Sequence, residues 1–404
     1  MFLNILLIIT TLLTDTASTE VFVKGQYGRS SYALEGAQHG GFAIQAQSVY
    51  DIDSVHRVFG EASYTWDQSF GNKYIENADY RLLYPYLTTD TVGGGLRTEQ
   101  YWFRGGYRMH KRNWVWHVAL QFRAQQSYRA VDPRPKNKVT DLRVEASVGY
   151  VYKNYAWLFM AQGGRYKQSN EIKFYSELGE NQIYHMVGTG AAYTRFSGNK
   201  KESYYNGYTA GLSLSMLPFR QGWIASLDYR YLGIDKEIHD NTFIPLGRRR
   251  SHALETTIGY ITPIWRVMAQ AGWTHRRGQQ YIYGEAANNT YRLLTMQSNY
   301  TENQAHVGAN GSYRLNLPVG YMCFAGSINY QLPLTNHQLP IESRWAELHD
   351  LLTDSEVQAA LSVRYAFPIN GRFAWFFEPA AELHCYTKTA RQTWQVVFQT
   401  GLCF

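Results

Sequence analysis

The last residues of the chain, Thr393 to Phe404, read Thr-Trp-Gln-Val-Val-Phe-Gln-Thr-Gly-Leu-Cys-Phe. Side chains of an extended strand point alternately to its two faces. One face then carries Trp394 and Phe398, whereas the other carries small or polar residues such as Gln395 and Gly401. An apolar strand left unpaired at a sheet edge promotes aggregation. The pattern therefore predicts a closed barrel, in which the last strand pairs with the first.

This ending also resembles the C-terminal assembly signal of bacterial outer-membrane barrels, which finish on Phe, as this chain does at Phe404. The resemblance implies that the protein is located in the cell outer membrane, in contact with its lipids. It also implies that the barrel assembly machinery binds the last strand as a partner.

Composition agrees with a transmembrane barrel. Aromatic residues make up 16% of the 404 residues and charged residues only 18%, yet mean hydropathy is -0.39. A helical membrane protein contains runs of about 18 or more apolar residues, and none follows the N-terminal region. The net charge of +7 is modest, and Arg248 to Arg250 is the longest basic tract. We therefore expect no nucleic-acid partner.

The N-terminal segment from Phe2 to Leu13 is apolar and is followed by small and polar residues. This pattern predicts a signal peptide at residues 1–18 and an exported single domain at 19–404. The three cysteines, Cys323, Cys385 and Cys403, are too far apart in the predicted strand register to pair, so we expect three free thiols.

Extended segments follow one another along the mature chain, with a two-residue period and lengths that reach ten residues or more. Tilted strands of about 9–11 residues cross a bilayer. The segments predict a single antiparallel barrel of about sixteen strands, or fourteen if the first is absent: 20–28, 40–50, 55–67, 98–109, 113–128, 139–152, 155–168, 203–217, 222–234, 249–262, 264–276, 302–315, 319–331, 354–368, 371–386 and 390–404. A soluble β-propeller is the alternative fold.

Connections between the segments alternate between short turns and long loops. Bacterial barrels place short turns in the periplasm and long loops outside the cell. The stretch 169–202 is predicted to hold a strand extension above the membrane. Ile341, Trp345, Leu348 and Leu352 have helical spacing, so a short helix is predicted within the loop 332–353.

The stretch from Asn77 to Gly95 contains Asp-Tyr-Arg-Leu-Leu-Tyr-Pro-Tyr, and Tyr-Trp-Phe-Arg-Gly-Gly-Tyr follows at 101–107. Together with 60–64 and 208–218, it resembles a family of Bacteroidota outer-membrane barrels known only as a domain of unknown function. The resemblance implies an outer-membrane barrel. It implies no activity, and it provides no catalytic residue to assign.

The loop 68–97 is unusually apolar for an exposed loop, and two interpretations remain open. It folds into the barrel and buries its apolar side chains, or it docks another outer-membrane protein through exposed apolar surface. The residues concerned are Tyr80, Leu82, Leu83, Tyr84, Tyr86, Leu87 and Val92.

Five arginines are expected at the outer rim, because strands 249–262 and 264–276 are neighbours. Guanidinium groups bind phosphate through paired hydrogen bonds, so we predict a binding site for lipopolysaccharide. The alternative is an ordinary solvated loop. The residues are Arg248, Arg249, Arg250, Arg276 and Arg277.

Alternation also places many charged residues on the inward faces of the strands. They line a charged pore, or they pair across the interior and hold the barrel in shape. We predict that Arg364 and Glu378 come within reach of each other. The inward set is Arg104, Arg108, Arg123, Arg143, Arg230, Arg266, Arg314, Arg364, Glu145, Asp228, Glu255, Glu356, Glu378, Glu382, His117, His306 and His384.

Two patterns suggest an enzyme weakly. Glu378, Glu382 and His384 share a strand face, as a metal site requires, and Ser251-His252 is a nucleophile–base pair without a third partner. We expect no enzyme, metal or cofactor. Two function classes stay open: a channel or accessory subunit of an uptake or secretion system, and a non-conducting scaffold for lipopolysaccharide or protein docking.

Overall fold

The computed structural model describes residues 18–32, 34–175, 183–188, 192–193, 202–240, 242–284, 292–335, 354–370 and 373–404. The strands are β1 (Ser18–Ser30), β2 (Gln38–Asp51), β3 (His56–Asn72), β4 (Thr88–Thr89), β5 (Gly94–Lys111), β6 (Trp114–Tyr128), β7 (Arg134–Tyr152), β8 (Tyr155–Lys173), β9 (Tyr184–Met186), β10 (Ala192–Tyr193), β11 (Glu202–Pro218), β12 (Gly222–Asp240), β13 (Thr242–Ile261), β14 (Trp265–Tyr283), β15 (Leu293–Asn316), β16 (Tyr321–Pro333), β17 (Glu356–Pro368), β18 (Ala374–Tyr386) and β19 (Gln392–Cys403).

Sixteen of these strands form one closed antiparallel barrel in chain order, and β4, β9 and β10 form a separate small sheet. The barrel closes between β1 and β19, where the backbone amides of Thr19 and Phe404 donate to each other's carbonyls at 2.7 and 2.8 Å. The predicted closure of the last strand on the first is therefore confirmed, with sixteen strands rather than fourteen.

Alternation along each strand separates an outward apolar face from an inward polar one. On β6, Trp116 and Val118 are exposed outward, whereas His117 and Ala119 are buried inside. Outward positions around the barrel form an apolar belt that includes Leu120, Val144, Phe159, Leu212, Leu214, Leu227, Leu254, Ile258, Val267 and Trp273. Barrel strands run from 12 residues in β19 to 24 in β15, which is long enough to cross a bilayer when tilted.

The barrel has two unlike ends. At the turn end, neighbouring strands are joined by short turns such as 112–113 and 153–154, and both chain ends of the barrel, Ser18 and Cys403, lie there. At the loop end, the connections include 73–93 and 174–201. The predicted alternation of short and long connections is therefore present in the fold.

Helix is nearly absent from the described residues. One short helix, α1 (Tyr80–Leu83), lies in the connection between β3 and β5. No helix in the described part of the chain is long and apolar enough to span a membrane. The helix predicted at 341–352 lies outside the described residues. The three cysteines are free, as predicted.

Candidate functional site

The segment 73–93, which we call the plug, connects β3 to β5 and folds into the lumen from the loop end. Its apolar side chains are buried: Ile75, Leu83, Tyr84, Tyr86 and Leu87 are each exposed by 4% or less. Ile75, Leu83, Tyr84 and Leu87 share a core with wall residues from distant strands, including Val139, Tyr166, Tyr205, Ile234 and Tyr300. The prediction that this loop folds inward is confirmed.

The opposite interpretation, a loop that docks a partner through exposed apolar surface, is wrong for this conformation. Of the apolar residues on which it rested, Val92 is exposed at 45%, whereas Leu83, Tyr84, Tyr86 and Leu87 are buried and Tyr80 and Leu82 are half-buried against the same core. Contiguous exposed apolar surface, which marks an interface, is therefore lacking on this segment.

Arg129, just beyond β6, holds the two ends of the plug together by binding Glu76 and Asp90. We call these three residues the clamp. Its Nη2 donates to Glu76 Oε1 at 2.6 Å and also to Asp90 Oδ2. Asp90 Oδ1 in turn accepts the backbone amides of Val92 and Gly93 at 2.9 and 2.8 Å. All three charged side chains are almost fully buried, where an ion pair is strong only if its remaining hydrogen bonds are satisfied.

The pKa values of the two carboxyl groups of this clamp shift in opposite directions. Burial, and then the adjacent Asp90, raise the pKa of Glu76 well above 4.5. Burial also acts to raise the pKa of Asp90, but the hydrogen bond with Glu76 and the charge of Arg129 outweigh it and lower that pKa. Glu76 therefore holds a proton more firmly than Asp90 does.

The tip of the plug is bound by the wall on both sides. Arg123 of β6 donates to both oxygens of Asp79, at 3.1 and 2.5 Å, and Tyr166 of β8 donates to Asp79 Oδ2 at 2.9 Å. Arg81 of the plug donates to the Tyr386 hydroxyl at 2.9 Å and lies 3.8 Å from Glu356 of β17.

Arg81 also forms an ion pair with Glu35, in the connection between β1 and β2. Burial acts to raise the pKa of Glu35, but the charge and hydrogen bond of Arg81 hold it below 4.5. The plug thus forms ion pairs with wall and loop residues at widely separated points of the barrel.

The far side of the lumen binds the plug through its backbone. Lys236 of β12 is 1% exposed and donates to the carbonyls of Leu87 and Met186 at 2.7 and 3.1 Å. Arg249 of β13 donates to the carbonyl of Tyr84 at 2.7 Å. Two cations of the wall are therefore used to hold main-chain oxygens of the plug.

Two glycines make room for the plug beside these cations. A Cβ at Gly247 would lie 2.4 Å from the ring of Tyr86, and one at Gly278 would lie 2.2 Å from its hydroxyl. The described part of the next loop also enters the lumen, because β9 pairs with β4 of the plug and His185 is buried. The lumen is consequently crossed by protein near its loop end.

The predicted inward residues lie on the inward faces of their strands, and most form pairs there. Arg364 donates to Glu378 at 2.6 Å, which confirms the predicted proximity of these two residues. Further pairs join Arg104 to Glu145 at 3.1 Å, Arg143 to Asp141 at 2.7 Å, Arg230 to Glu255 at 3.8 Å, and His384 to Glu356 and Glu382 at 2.6 and 3.0 Å.

Other inward residues are less tightly held. Arg266 and Glu255 face a cavity of about 360 Å³ in the turn-end part of the lumen, with Lys24, Glu378 and Glu382 on its walls. Asp228 lies directly opposite Glu255 and is buried. Arg314 lies at the turn-end mouth, exposed, over the ring of Tyr321.

The two weak enzyme patterns do not assemble into sites. Ser251 is buried on the inward face, whereas His252 faces outward and contacts the Tyr229 hydroxyl at 2.8 Å, so the two cannot act together. Within the described ranges, no group of three or more His, Cys, Asp or Glu side chains could hold a metal ion.

Comparison with known proteins assigns the chain to a family. A family model described as "Family of unknown function (DUF6850)" matches residues 8–401. The chain belongs to the DUF6850 family. The resemblance to a domain of unknown function is thus confirmed. No curated protein matches the sequence significantly.

Solved structures similar to this DUF6850 chain are barrels of low sequence identity. CdiB from Acinetobacter baumannii is 9% identical at a TM-score of 0.44, with 97% of this chain and 60% of that chain covered, so this chain spans less than two thirds of its length. A bacterial polysaccharide outer-membrane secretin is 10% identical at 0.41, covering 95% and 97%. The CymD monoaromatic hydrocarbon channel is 9% identical at 0.38, covering 99% and 91%.

The five arginines predicted at the rim of this DUF6850 chain do not form one cluster. Arg248, Arg250 and Arg277 face outward, but Arg249 is 3% exposed inside and Arg276 donates to Glu302 at 2.9 Å on the inward face. The prediction is corrected on this point because alternate residues of a strand face opposite sides.

The plug anchors Arg129, Lys236, Glu76 and Asp90 were not found from the sequence. Each acts on a residue far away in the chain, and strand periodicity carries no information about such pairs. Strand parity would have placed Arg276 inside, since Arg266 was already assigned to the same inward face of β14. It would also have placed Arg249 inside, since Glu255 was assigned to the same inward face of β13.

Proposed function

We propose that the protein is an outer-membrane channel that the plug holds closed. The proposal rests on one observation: the plug crosses the lumen and is bonded to β6, β8, β12, β13 and β17. A cavity remains in the turn-end part of the lumen. A barrel of sixteen strands is wide enough to leave an aqueous channel unless a loop fills it. Movement of the plug would join the cavity to the outside.

The orientation and location follow from the same reasoning. The apolar belt supports a membrane location for the barrel, and the long connections support an orientation with the loop end at the cell surface. The signal peptide at residues 1–18 provides export. Fractionation of cell envelopes tests the location, and N-terminal sequencing of the mature protein tests cleavage after Ser18.

The decisive experiment removes the plug. Asn72 and Gly94 are paired across β3 and β5, so a two-residue Asn-Gly turn can replace residues 73–93 without breaking the wall. In planar bilayers we expect rare openings from the wild type and steady conductance from this variant. A second variant, with a Gly-Ser linker of the same length in place of the plug, separates loss of wall contacts from loss of bulk.

The channel proposal would be wrong if neither variant conducted although heat-modifiable gel mobility showed that both barrels were folded. The remaining function would then be the non-conducting scaffold that docks lipid or protein. As a separate partner proposal, the barrel assembly machinery binds the last strand. Changing Phe404 to Ala should lower the amount of folded barrel in the membrane without altering the plug.

A further inference from the structure

A row of outward-facing residues runs across five neighbouring strands at the loop end of the barrel. Cross-strand partners lead from Arg165 on β8 to Tyr208 on β11, Gly233 on β12, Arg250 on β13 and Arg277 on β14. We call these residues the basic row. Register alone places them side by side on one face, because each is the direct partner of the next.

More cations surround the basic row. Lys167 on β8 and Arg248 on β13 lie one outward position closer to the loop end, and Lys138 on β7 is exposed on the same face beside Ser169. Two carboxylates lie near the row: Asp235 pairs with two guanidinium groups, Arg248 at 2.9 Å and Arg250 at 3.1 Å, and Glu237 interacts with Arg165. Positive charge therefore exceeds negative charge on this surface.

Arg250 and Arg277 are direct cross-strand partners. Like charges placed opposite each other on adjacent strands repel and destabilise the sheet. Among the described residues, Arg277 has neither a hydrogen bond nor an ion pair with another side chain. An anion placed between the two guanidinium groups would remove the repulsion and supply the missing partner.

The neighbourhood of the row favours an anion at a membrane surface. The apolar belt adjoins the row, because Leu142 is the cross-strand partner of Arg165 and Trp273 lies two outward positions from Arg277 toward the turn end, both exposed. Gly233 leaves room for the Arg250 side chain to lie over β12, since a Cβ there would lie 3.0 Å from Arg250 Nη1 and from the Tyr231 hydroxyl. The surface thus has apolar side chains on one side and cations on the other.

We propose that the basic row binds the phosphate groups of a phosphorylated lipid of the surrounding leaflet, of the lipid A class. Guanidinium groups form paired, charge-assisted hydrogen bonds with phosphate, and the apolar belt below takes the acyl chains. The site includes Arg250, Arg277 and Arg165, with Arg248 and Lys167 beside them. It excludes Arg249 and Arg276, which face the lumen.

The test measures binding of diphosphorylated lipid A to the purified, detergent-solubilised protein. The test variant carries Arg250→Gln and Arg277→Gln. The matched control carries Arg29→Gln and Arg97→Gln, which remove two exposed, outward arginines near the loop end on β1 and β5. We expect Kd to rise about tenfold or more in the test variant and to stay within about twofold in the control.

Three outcomes would overturn the proposal. They are equal weakening in both variants, equal affinity for lipid A from which the phosphates have been removed, and displacement of the lipid by inorganic phosphate at the same concentration. The last would assign the site to free phosphate. Heat-modifiable mobility of each variant verifies that the barrel is folded, so that lost binding reports on the row. Conductance of the channel plays no part in this test.

Discussion

The two halves of the lumen use similar residues in different ways. Near the turn end, inward arginines pair with carboxylates of nearby strands, as in Arg364–Glu378 and Arg104–Glu145, and a cavity remains between the walls. Near the loop end, the inward cations Lys236 and Arg249 hold carbonyl oxygens of the plug.

The difference shows what determines whether the lumen is filled. A wall that pairs its own charges needs no further partner, so nothing draws a loop into it. A buried basic group without a carboxylate partner is costly unless other acceptors reach it, and the plug supplies those acceptors. The loop-end wall and the plug therefore stabilise each other.

The largest effect is expected from Arg129→Gln, which leaves Asp90 buried without its cation. Breaking a buried pair by removing one partner costs about 3–5 kcal/mol. We expect trypsin to cleave after Arg81 in the plug at least about a hundredfold faster, because cleavage follows the population of the open form. Arg97→Gln, which removes an exposed arginine of β5, is the control. Equal cleavage in the two variants would contradict the clamp.

A smaller effect is expected from Gly247→Ala, which adds a methyl group 2.4 Å from the Tyr86 ring. Such overpacking costs about 1–3 kcal/mol, and the ring can escape only by moving the plug. The matched control is Gly163→Ala, where an added Cβ meets nothing within 4 Å. Open probability in planar bilayers should rise for the first and not for the second. A similar response from both would mean that Tyr86 does not hold the plug.

The pH dependence of opening sharpens the comparison at the clamp. Because the pKa of Glu76 is raised in the closed state, its proton stabilises that state. This stabilisation is fully present below pH 4.5 and is lost as the pH rises through the raised pKa. Because the pKa of Asp90 is lowered, the stabilisation of the closed state by its carboxylate is present above pH 3.8 and is lost only in acid. Open probability should therefore increase with pH in the alkaline direction.

Glu76→Gln removes the titrating carboxyl group and should make opening independent of pH in that direction. The measurement is the open probability of both proteins across the same pH series. An unchanged slope in the variant would assign the dependence to another group.

The smallest effect is expected at the turn end. Arg314 is exposed at the mouth and bonds Asn316 at 3.2 Å, so Arg314→Gln should change unfolding free energy by no more than about 0.5 kcal/mol. Urea unfolding followed by tryptophan fluorescence checks this value. Faster cleavage after Arg81 in this variant would show that the two halves of the lumen are coupled.

Much of the wall could be predicted from local pattern. Period-two alternation identified the inward residues, including Glu145 and Arg266, and the C-terminal strand predicted closure of the barrel. The rim prediction was incomplete where parity was not applied: adjacent arginines at 248–250 were taken as one cluster, although the middle one faces inside. The apolar character of 68–97 indicated burial but not which residues would receive it.

The sequence by itself determined the barrel and its two faces, because strand alternation is a local property with a period of two residues. Only the tertiary structure decided that the plug lies in the lumen and which basic side chains hold it. Arg129 contacts Glu76 and Lys236 contacts Leu87 across separations of 53 and 149 residues. Such contacts depend on how strands curve into a ring, and no short stretch of sequence records that geometry.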